Sequence, residues 1–320
     1  RRRRSTHTPA PSAGQRARLG TRLGLGVRVL DLFTPVRRGQ RLGLFAASGV
    51  GKSTLMAMMA GGVEADIVVF ALVGERGREL REFLEDDLGP ERMARSVVIC
   101  ATSDSAAPLR REAAYAAMTV AEHFRDQGKQ VLLLMDSVTR FALALREIGL
   151  AVGEPPATRG FPPSVFTELP RLLERAGMGD EGNEGAITAL FTVLVEGDDH
   201  DEPVADAVRG ILDGHVVLDR RIAEGGRYPP VDVLRSVSRS VPGVLEPHER
   251  PLLLRARKML SLYFEARDLL RLGAYRAGGD PDLDEAVRLA PAIEELMSQP
   301  KGERCSAEEA FDRLRIMLGG

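Results

Sequence analysis

The stretch Gly43-Leu44-Phe45-Ala46-Ala47-Ser48-Gly49-Val50-Gly51-Lys52-Ser53-Thr54 constrains the fold more than any other. Arg41 to Phe45 is a short apolar run suited to a buried strand, and a turn of small residues follows it. Lys52 to Ala60 reads as a helix with Leu55, Met56 and Met59 as its buried stripe. Strand, small-residue turn and helix N-terminus in that order make a phosphate cradle, the P-loop. Successive backbone N–H groups in the turn, with the positive end of the helix behind them, form a concave anion site. Gly49 and Gly51 permit backbone angles and a close approach that a side chain would block. Ala47 to Thr54 would surround the phosphates, Lys52 would reach the β- and γ-phosphates, and the Ser53 hydroxyl would sit on Mg²⁺. The first glycine of the usual pattern is Ala46 here, and a small residue suffices at that position. An ordinary tight turn would have no need of Lys-Ser directly after Gly-x-Gly.

Beyond this stretch, strands and helices alternate. Ile67 to Val73, Val97 to Cys100, Val131 to Met135, Ala186 to Val195 and His215 to Leu218 read as strands. Gly77 to Leu88, Pro108 to Arg125, Ser137 to Ile148, Ser164 to Ala176 and Pro203 to Leu212 read as helices. Near-continuous apolar strands with helices between them predict a mostly parallel sheet covered on both faces. From about Glu249 the pattern is helical to the end. The expected organisation is a disordered basic tail over 1–18, an α/β domain over 19–248 and a small helical domain over 249–320.

Two further signals fall at strand ends. Val131 to Met135 runs into Asp136, where a carboxylate at the carboxyl end of a parallel strand faces the same crevice as the P-loop and would hold the hydration shell of Mg²⁺. Ile67 to Val73 runs into Gly74-Glu75-Arg76-Gly77. Glu75 there could orient and deprotonate an attacking water, or pair with an arginine on the surface as the next helix opens. Spacing alone does not separate the two.

Composition excludes several classes. The formal net charge is −2, yet residues 1–41 carry eleven arginines and a single acid, Asp31, leaving −12 for the rest. Arg1 to Arg4 could touch nucleic acid or acidic lipid, and a solvated tail is the preferred reading. Cys100 and Cys305 are far apart and match no paired spacing, which argues for a reducing compartment. No apolar run reaches about 18 residues, the length a spanning helix needs. The five histidines show no ligand spacing, and the acidic run Asp198 to Glu202 lacks the calcium-loop pattern.

The chain resembles the type III secretion ATPases, most closely those of the flagellar export apparatus, which are relatives of the catalytic subunit of rotary ATP synthases. The resemblance rests on Gly-Gln-Arg-Leu-Gly-Leu-Phe-Ala at 39–46, Ser-Gly-Val-Gly-Lys-Ser at 48–53 and Val-Gly-Glu-Arg-Gly-Arg-Glu at 73–79. It continues through Ala-Thr-Ser-Asp at 101–104, Met-Asp-Ser-Val-Thr-Arg-Phe-Ala at 135–142, Gly-Glu-Pro-Pro-Ala-Thr-Arg-Gly at 153–160 and Pro-Ser-Val-Phe-Thr-Glu-Leu-Pro at 163–170. Val-Leu-Val-Glu-Gly-Asp-Asp at 193–199, Ile-Leu-Asp-Gly-His at 211–215 and Arg-Tyr-Pro-Pro-Val-Asp at 227–232 complete it, in the family's order.

The resemblance implies a RecA-like core and Mg²⁺-dependent ATP hydrolysis that energises release and unfolding of flagellar export substrates. The alternatives are a virulence-associated secretion ATPase or, on the same fold, a hexameric nucleic-acid translocase. The absence of a basic, aromatic groove speaks against nucleic acid. A non-catalytic nucleotide-binding subunit would carry Gln in place of Glu75. By resemblance Glu75 is the general base, and Arg76 and Arg140 lie near the γ-phosphate. Both arginines could equally be salt bridges at the sheet edge. Ser236-Val237-Ser238-Arg239 matches the segment that gives an arginine finger to a neighbouring subunit, although sequence alone allows a solvated loop arginine. Tyr228 matches the aromatic that stacks on adenine, against a place in the core, and Tyr275 would close the other side of the base. The family's partners follow as expectations: a homo-hexamer, a central stalk, a stator-like regulator, export substrates and chaperones, at the cytoplasmic face of the inner membrane. Family members carry an N-terminal β-barrel before the core. Residues 1–35 are too short to hold it, so either the sequence is a fragment or the barrel is missing from this protein.

Overall fold

The computed structural model describes residues 4–12, 14–195, 202–241 and 243–319. Its centre is a sheet of strands β3 (Arg41–Ala46), β4 (Ile67–Val73), β5 (Ser96–Ala101), β6 (Gln130–Asp136), β8 (Ala186–Leu194), β9 (Gly214–Leu218) and β10 (Val231–Ser238), ordered β10-β9-β3-β8-β6-β4-β5. All neighbours are parallel except β10 on β9 and the two-residue β7 (Gly177–Met178), which pairs antiparallel with β8. Short strands β1 (Arg22–Leu23) and β2 (Val36–Arg37) pair separately, around helix α1 (Arg28–Phe33).

The apolar runs are continuous because both faces of the sheet are covered. Along β4, Val69, Ala71 and Val73 enter one core, while Val68, Phe70 and Leu72 enter the other. The first core is closed by α5 (Ala107–Arg125), α6 (Val138–Ala151), α7 (Pro163–Leu173) and α8 (Pro203–Ile211). The second is closed by α1 and α2 (Lys52–Gly62) together with the C-terminal helices α10 (Glu249–Arg271), α11 (Pro281–Met297) and α12 (Ala307–Met317). The C-terminal helices therefore share a core with the sheet. Leu253, Met259, Leu289 and Leu314 pack in the same cluster as Leu30, Leu55 and Phe70.

Several expectations change. Helix α2 is buried all round from Leu55 to Gly61 instead of along a stripe, because it lies between the sheet and the C-terminal helices. The helix expected over 77–88 is three pieces: α3 (Gly77–Glu82), a π-helical turn (Phe83–Leu88) and α4 (Gly89–Met93), with Gly89-Pro90 resetting the chain. Strand β10 and α1 were not anticipated. Arg1 to Arg3 lie outside the described residues, and residues 4–7 lie against the protein instead of in solvent. Arg4 reaches Asp126 at 2.6 Å, His7 meets Glu112 at 3.0 Å, and the Thr6 carbonyl accepts from the buried Arg175 at 2.6 Å. Glu122 on α5 and Asp126 just past its end account for the placement of Arg4. The acidic run over 198–201 lies outside the described residues; Glu202 caps α8 by accepting from the Ala205 amide at 2.9 Å.

Candidate active site

Parallel order places the carboxyl ends of β3, β8, β6 and β4 side by side, and the crevice beyond them is where such sheets bind ligands. The P-loop follows β3 directly. Gly51 takes φ +101°, a left-handed conformation that a side chain resists, and it delivers the chain into α2 at Lys52. Arg220, opening the short helix α9 (Arg220–Glu224), donates to the Ser48 carbonyl at 3.1 Å and holds the loop from outside.

Lys52 Nζ lies 2.6 Å from Asp136 Oδ1 and 3.8 Å from Glu75 Oε1. Asp136 is buried at the end of β6, and the hydroxyl of Thr192 on β8 donates to the same oxygen at 2.7 Å. Thr192 is the register partner of Leu44 on β3, so β8 carries the hydroxyl that links the P-loop strand to the carboxylate strand. Glu75 follows β4. Its carbonyl accepts from the Ser103 amide at 2.9 Å, and the Gly74 amide donates to the Ala101 carbonyl at 2.7 Å, so the turn is pinned to the end of β5. Burial pushes the Glu75 carboxyl up, nearby Asp136 adds to the rise, and Lys52 opposes it. A raised glutamate is what a general base near neutral pH requires.

Gly74 has φ +75°, and a Cβ there would stand 2.8 Å from Arg140 Cβ. Glycine at that position lets Arg140 approach the turn that bears Glu75. The Ser137 hydroxyl accepts from the Arg140 amide at 3.2 Å, capping α6. Among the described residues the buried Arg140 Nε has no hydrogen-bond partner, an unfilled donor at the wall of the crevice. Arg76 is exposed, 3.4 Å from Glu79, at the mouth of the same crevice. The crevice, about 480 Å³, holds Ser48, Gly49, Gly51 to Thr54, Glu75, Arg76 and Arg140 together. Ser53 and Asp136 also line one recess beneath it. One hydroxyl and one carboxylate suit Mg²⁺, which takes few protein ligands and completes its shell with water and phosphate oxygens.

Tyr228 is 49% exposed, which removes the core-tyrosine alternative, and a Cβ at Gly51 would lie 3.8 Å from its ring. It stands beside the P-loop, outside the group of residues that line the crevice. Tyr275 is placed elsewhere. Its hydroxyl donates to Asp284 at 2.5 Å in the turn between α10 and α11, and it does not line the crevice. Arg239 is also remote. Because β10 runs antiparallel to β9, it finishes at the opposite end of the parallel strands from the crevice, where the Arg239 amide donates to Asp213 O at 3.0 Å beside Arg41. The sequence reading missed Thr192, Ser103, Ser137 and Arg220. Thr192 left one signal, a hydroxyl inside an otherwise apolar strand.

What this crevice can do is split a nucleoside triphosphate: the fold and the site are those of a RecA-like P-loop ATPase. Residues 26–238 match the ATP synthase alpha/beta family, nucleotide-binding domain, and residues 245–315 match the T3SS EscN ATPase C-terminal domain. The flagellum-specific ATP synthase of Caulobacter vibrioides is 57% identical over 315 residues, covering 97% of this chain and 71% of that protein. The type 3 secretion system ATPase of Xanthomonas euvesicatoria is 50% identical, covering 95% of this chain and 68% of that one. Among solved structures, the assembled ATPase EscN in complex with its central stalk EscO, from the enteropathogenic E. coli type III secretion system, superposes with a TM-score of 0.91 at 43% identity, over 99% of this chain and 75% of that one. The chain belongs to the ATP synthase alpha/beta family and, within it, to the type III secretion ATPases.

Proposed function

We propose that this chain hydrolyses MgATP to energise protein export through a flagellar type III apparatus. The observation that carries the reading is the convergence of Lys52, Asp136 and Glu75 within 2.6 and 3.8 Å at the end of the parallel strands. The backbone of Ala47 to Thr54 binds the phosphates, and Lys52 exchanges Asp136 for oxygens of the β- and γ-phosphates. Glu75 takes the proton of the attacking water as its oxygen bonds to the γ-phosphorus and the bond to the β-phosphate oxygen breaks. Arg140 and Arg76 face the transferring group. Mg²⁺ would be held through Ser53 and Asp136 and would supply charge neutralisation on the phosphates. Tyr228 stacks on adenine.

Arg239 cannot reach its own crevice, which supports its service as a finger in a neighbour's site and hence a ring of identical subunits, six as in the rotary ATPases. By analogy with the EscN complex, a central stalk is its partner. A stator-like regulator, export substrates and chaperones at the cytoplasmic face of the inner membrane complete the reading. Among the described residues no helix is long and apolar enough to cross a membrane. The relative from Xanthomonas keeps a virulence-type system as the second reading. Lys52→Ala removes the cation on the β- and γ-phosphates: phosphate release should fall to background, and expression in a flagellar-ATPase deletion strain should restore swimming for the wild type alone. Wild-type turnover in Lys52→Ala would overturn the ATPase reading, and failure to restore swimming would overturn the flagellar one.

A further inference from the structure

Tyr228 sits over the P-loop because the segment from Arg227 to Val231 is shaped from beneath, and the shaping groups belong to the C-terminal helices. Arg227 is buried, donating from Nη1 to Pro229 O at 3.1 Å and from Nη2 to Val231 O at 2.8 Å, so its guanidinium ties the backbone on both sides of Pro230. Its Nε lies 2.5 Å from Glu294 Oε2 on α11. Just beyond α11, the Gln299 amide donates to the Tyr228 carbonyl at 2.8 Å. Gln299 is itself buried, its side chain accepting from the Arg28 amide at 2.8 Å and donating to Gly26 O at 3.0 Å.

The pair of Arg227 and Glu294 is a poor device for stability. Burial pushes the Glu294 carboxyl up and the Arg227 guanidinium down, so desolvation outweighs their mutual attraction. Glu294 Oε1 is buried with no hydrogen-bond partner among the described residues. What the pair does have is placement: the Glu294 carboxylate stands against the Arg227 guanidinium as an ion pair, with no aligned hydrogen bond from Nε, and the two Nη groups hold the loop that carries the ring.

We propose that Glu294 is a positioning residue for the nucleotide base, setting ATP affinity from the C-terminal helices through Arg227 and Tyr228. The inference rests on the reading of Tyr228 as the adenine platform. Stacking of an aromatic on a base accounts for roughly 5- to 150-fold in affinity, so Tyr228→Ala should weaken ribose-labelled ATP binding by that order. Glu294→Gln keeps the shape and removes the charge, and should weaken it by about 5-fold, a share of the same stacking term. KM for ATP should rise with the smaller change in kcat. Tripolyphosphate has no base, and its affinity, measured by competition, should stay as in the wild type for both variants. The double variant should bind ATP no worse than Tyr228→Ala alone, since both act through one ring. Arg227→Lys, which cannot tie both carbonyls, should reproduce Glu294→Gln and serves if that variant folds poorly. If Tyr228→Ala leaves ATP binding intact, the platform reading fails and the inference falls with it. If Tyr228→Ala weakens ATP while Glu294→Gln and Arg227→Lys do not, or if tripolyphosphate binding falls in parallel, or if the two losses multiply, Tyr228 keeps its role and Glu294 has none.

Discussion

Arg239→Ala should abolish most turnover while leaving each subunit's own nucleotide crevice intact, and the geometry says why. The Arg239 amide is bonded to Asp213, which in turn receives the amide of Arg41 at the start of β3. The P-loop begins past Ala46, at the other end of that strand. Six residues at roughly 3.3 Å each put about 20 Å between them. An extended arginine reaches roughly 7 Å from its Cα by standard bond lengths. The guanidinium therefore belongs to a neighbour's site or to none. An arginine finger contributes roughly 10³–10⁵ in rate. Phosphate release by Arg239→Ala should fall by that order with ATP binding unchanged, and wild-type specific activity should rise with protein concentration as rings form. A 1:1 mixture of Arg239→Ala and Lys52→Ala chains is the decisive assay. In randomly mixed head-to-tail rings about a quarter of interfaces join an intact cradle to an intact finger. Activity should recover towards that fraction. No recovery in rings proven mixed by mass photometry, or concentration-independent turnover by a proven monomer, refutes the trans assignment.

Two other substitutions test the crevice itself. Glu75→Gln keeps the cradle and Lys52, so ATP should still bind while kcat falls by about 10²–10⁴, the scale of a positioned general base; normal hydrolysis would reduce Glu75 to an ion-pair partner. Gly74→Ala forces a side chain into a left-handed backbone and against Arg140 Cβ at 2.8 Å. It should cost about 1–3 kcal/mol of stability in urea melts. The kcat should fall with it, because Glu75 and Arg140 flank the same turn; wild-type kcat would show that the approach of Arg140 is incidental.

The parts of this structure that were legible in the sequence are those where one physical demand dominates. Ile67 to Val73 is buried on both faces, so it reads as an unbroken apolar run and its ends fall where the run ends. The P-loop must expose amides to phosphate, and only glycine and small residues allow that. Strand β10 was invisible because it is an edge strand, buried and exposed by turns, with Asp232, Arg235 and Ser236 diluting its apolar side. The π-helical turn was read as plain helix because its side chains keep a helical rhythm. Tail contacts such as His7 to Glu112 join residues far apart in sequence, and no local pattern encodes them. Tyr275 was assigned by resemblance alone, and the partner of its hydroxyl, Asp284, comes from the next helix.

The change from alternating to helical pattern near Glu249 was legible, yet it hid the mechanical connection across it. The segment that ends α11 touches both the loop of Tyr228 and a wall of the crevice. On one side, Glu294 and Gln299 hold the loop of Tyr228. On the other, Lys301 donates to the Asp86 carbonyl at 3.1 Å and pairs with Asp87, in the π-helical turn whose Phe83 and Asp87 line the crevice. Eight residues of one chain segment thus span the base platform and that wall. With Glu294 acting as inferred, nucleotide that draws the two together must shift the end of α11. By linkage, a load applied to the C-terminal helices must change nucleotide affinity by the same free energy. The shared core makes that coupling stiff: α11 cannot tilt away from the sheet without opening contacts of Leu289 and Ile293 in the cluster that also buries Leu55 and Met56 of the P-loop helix.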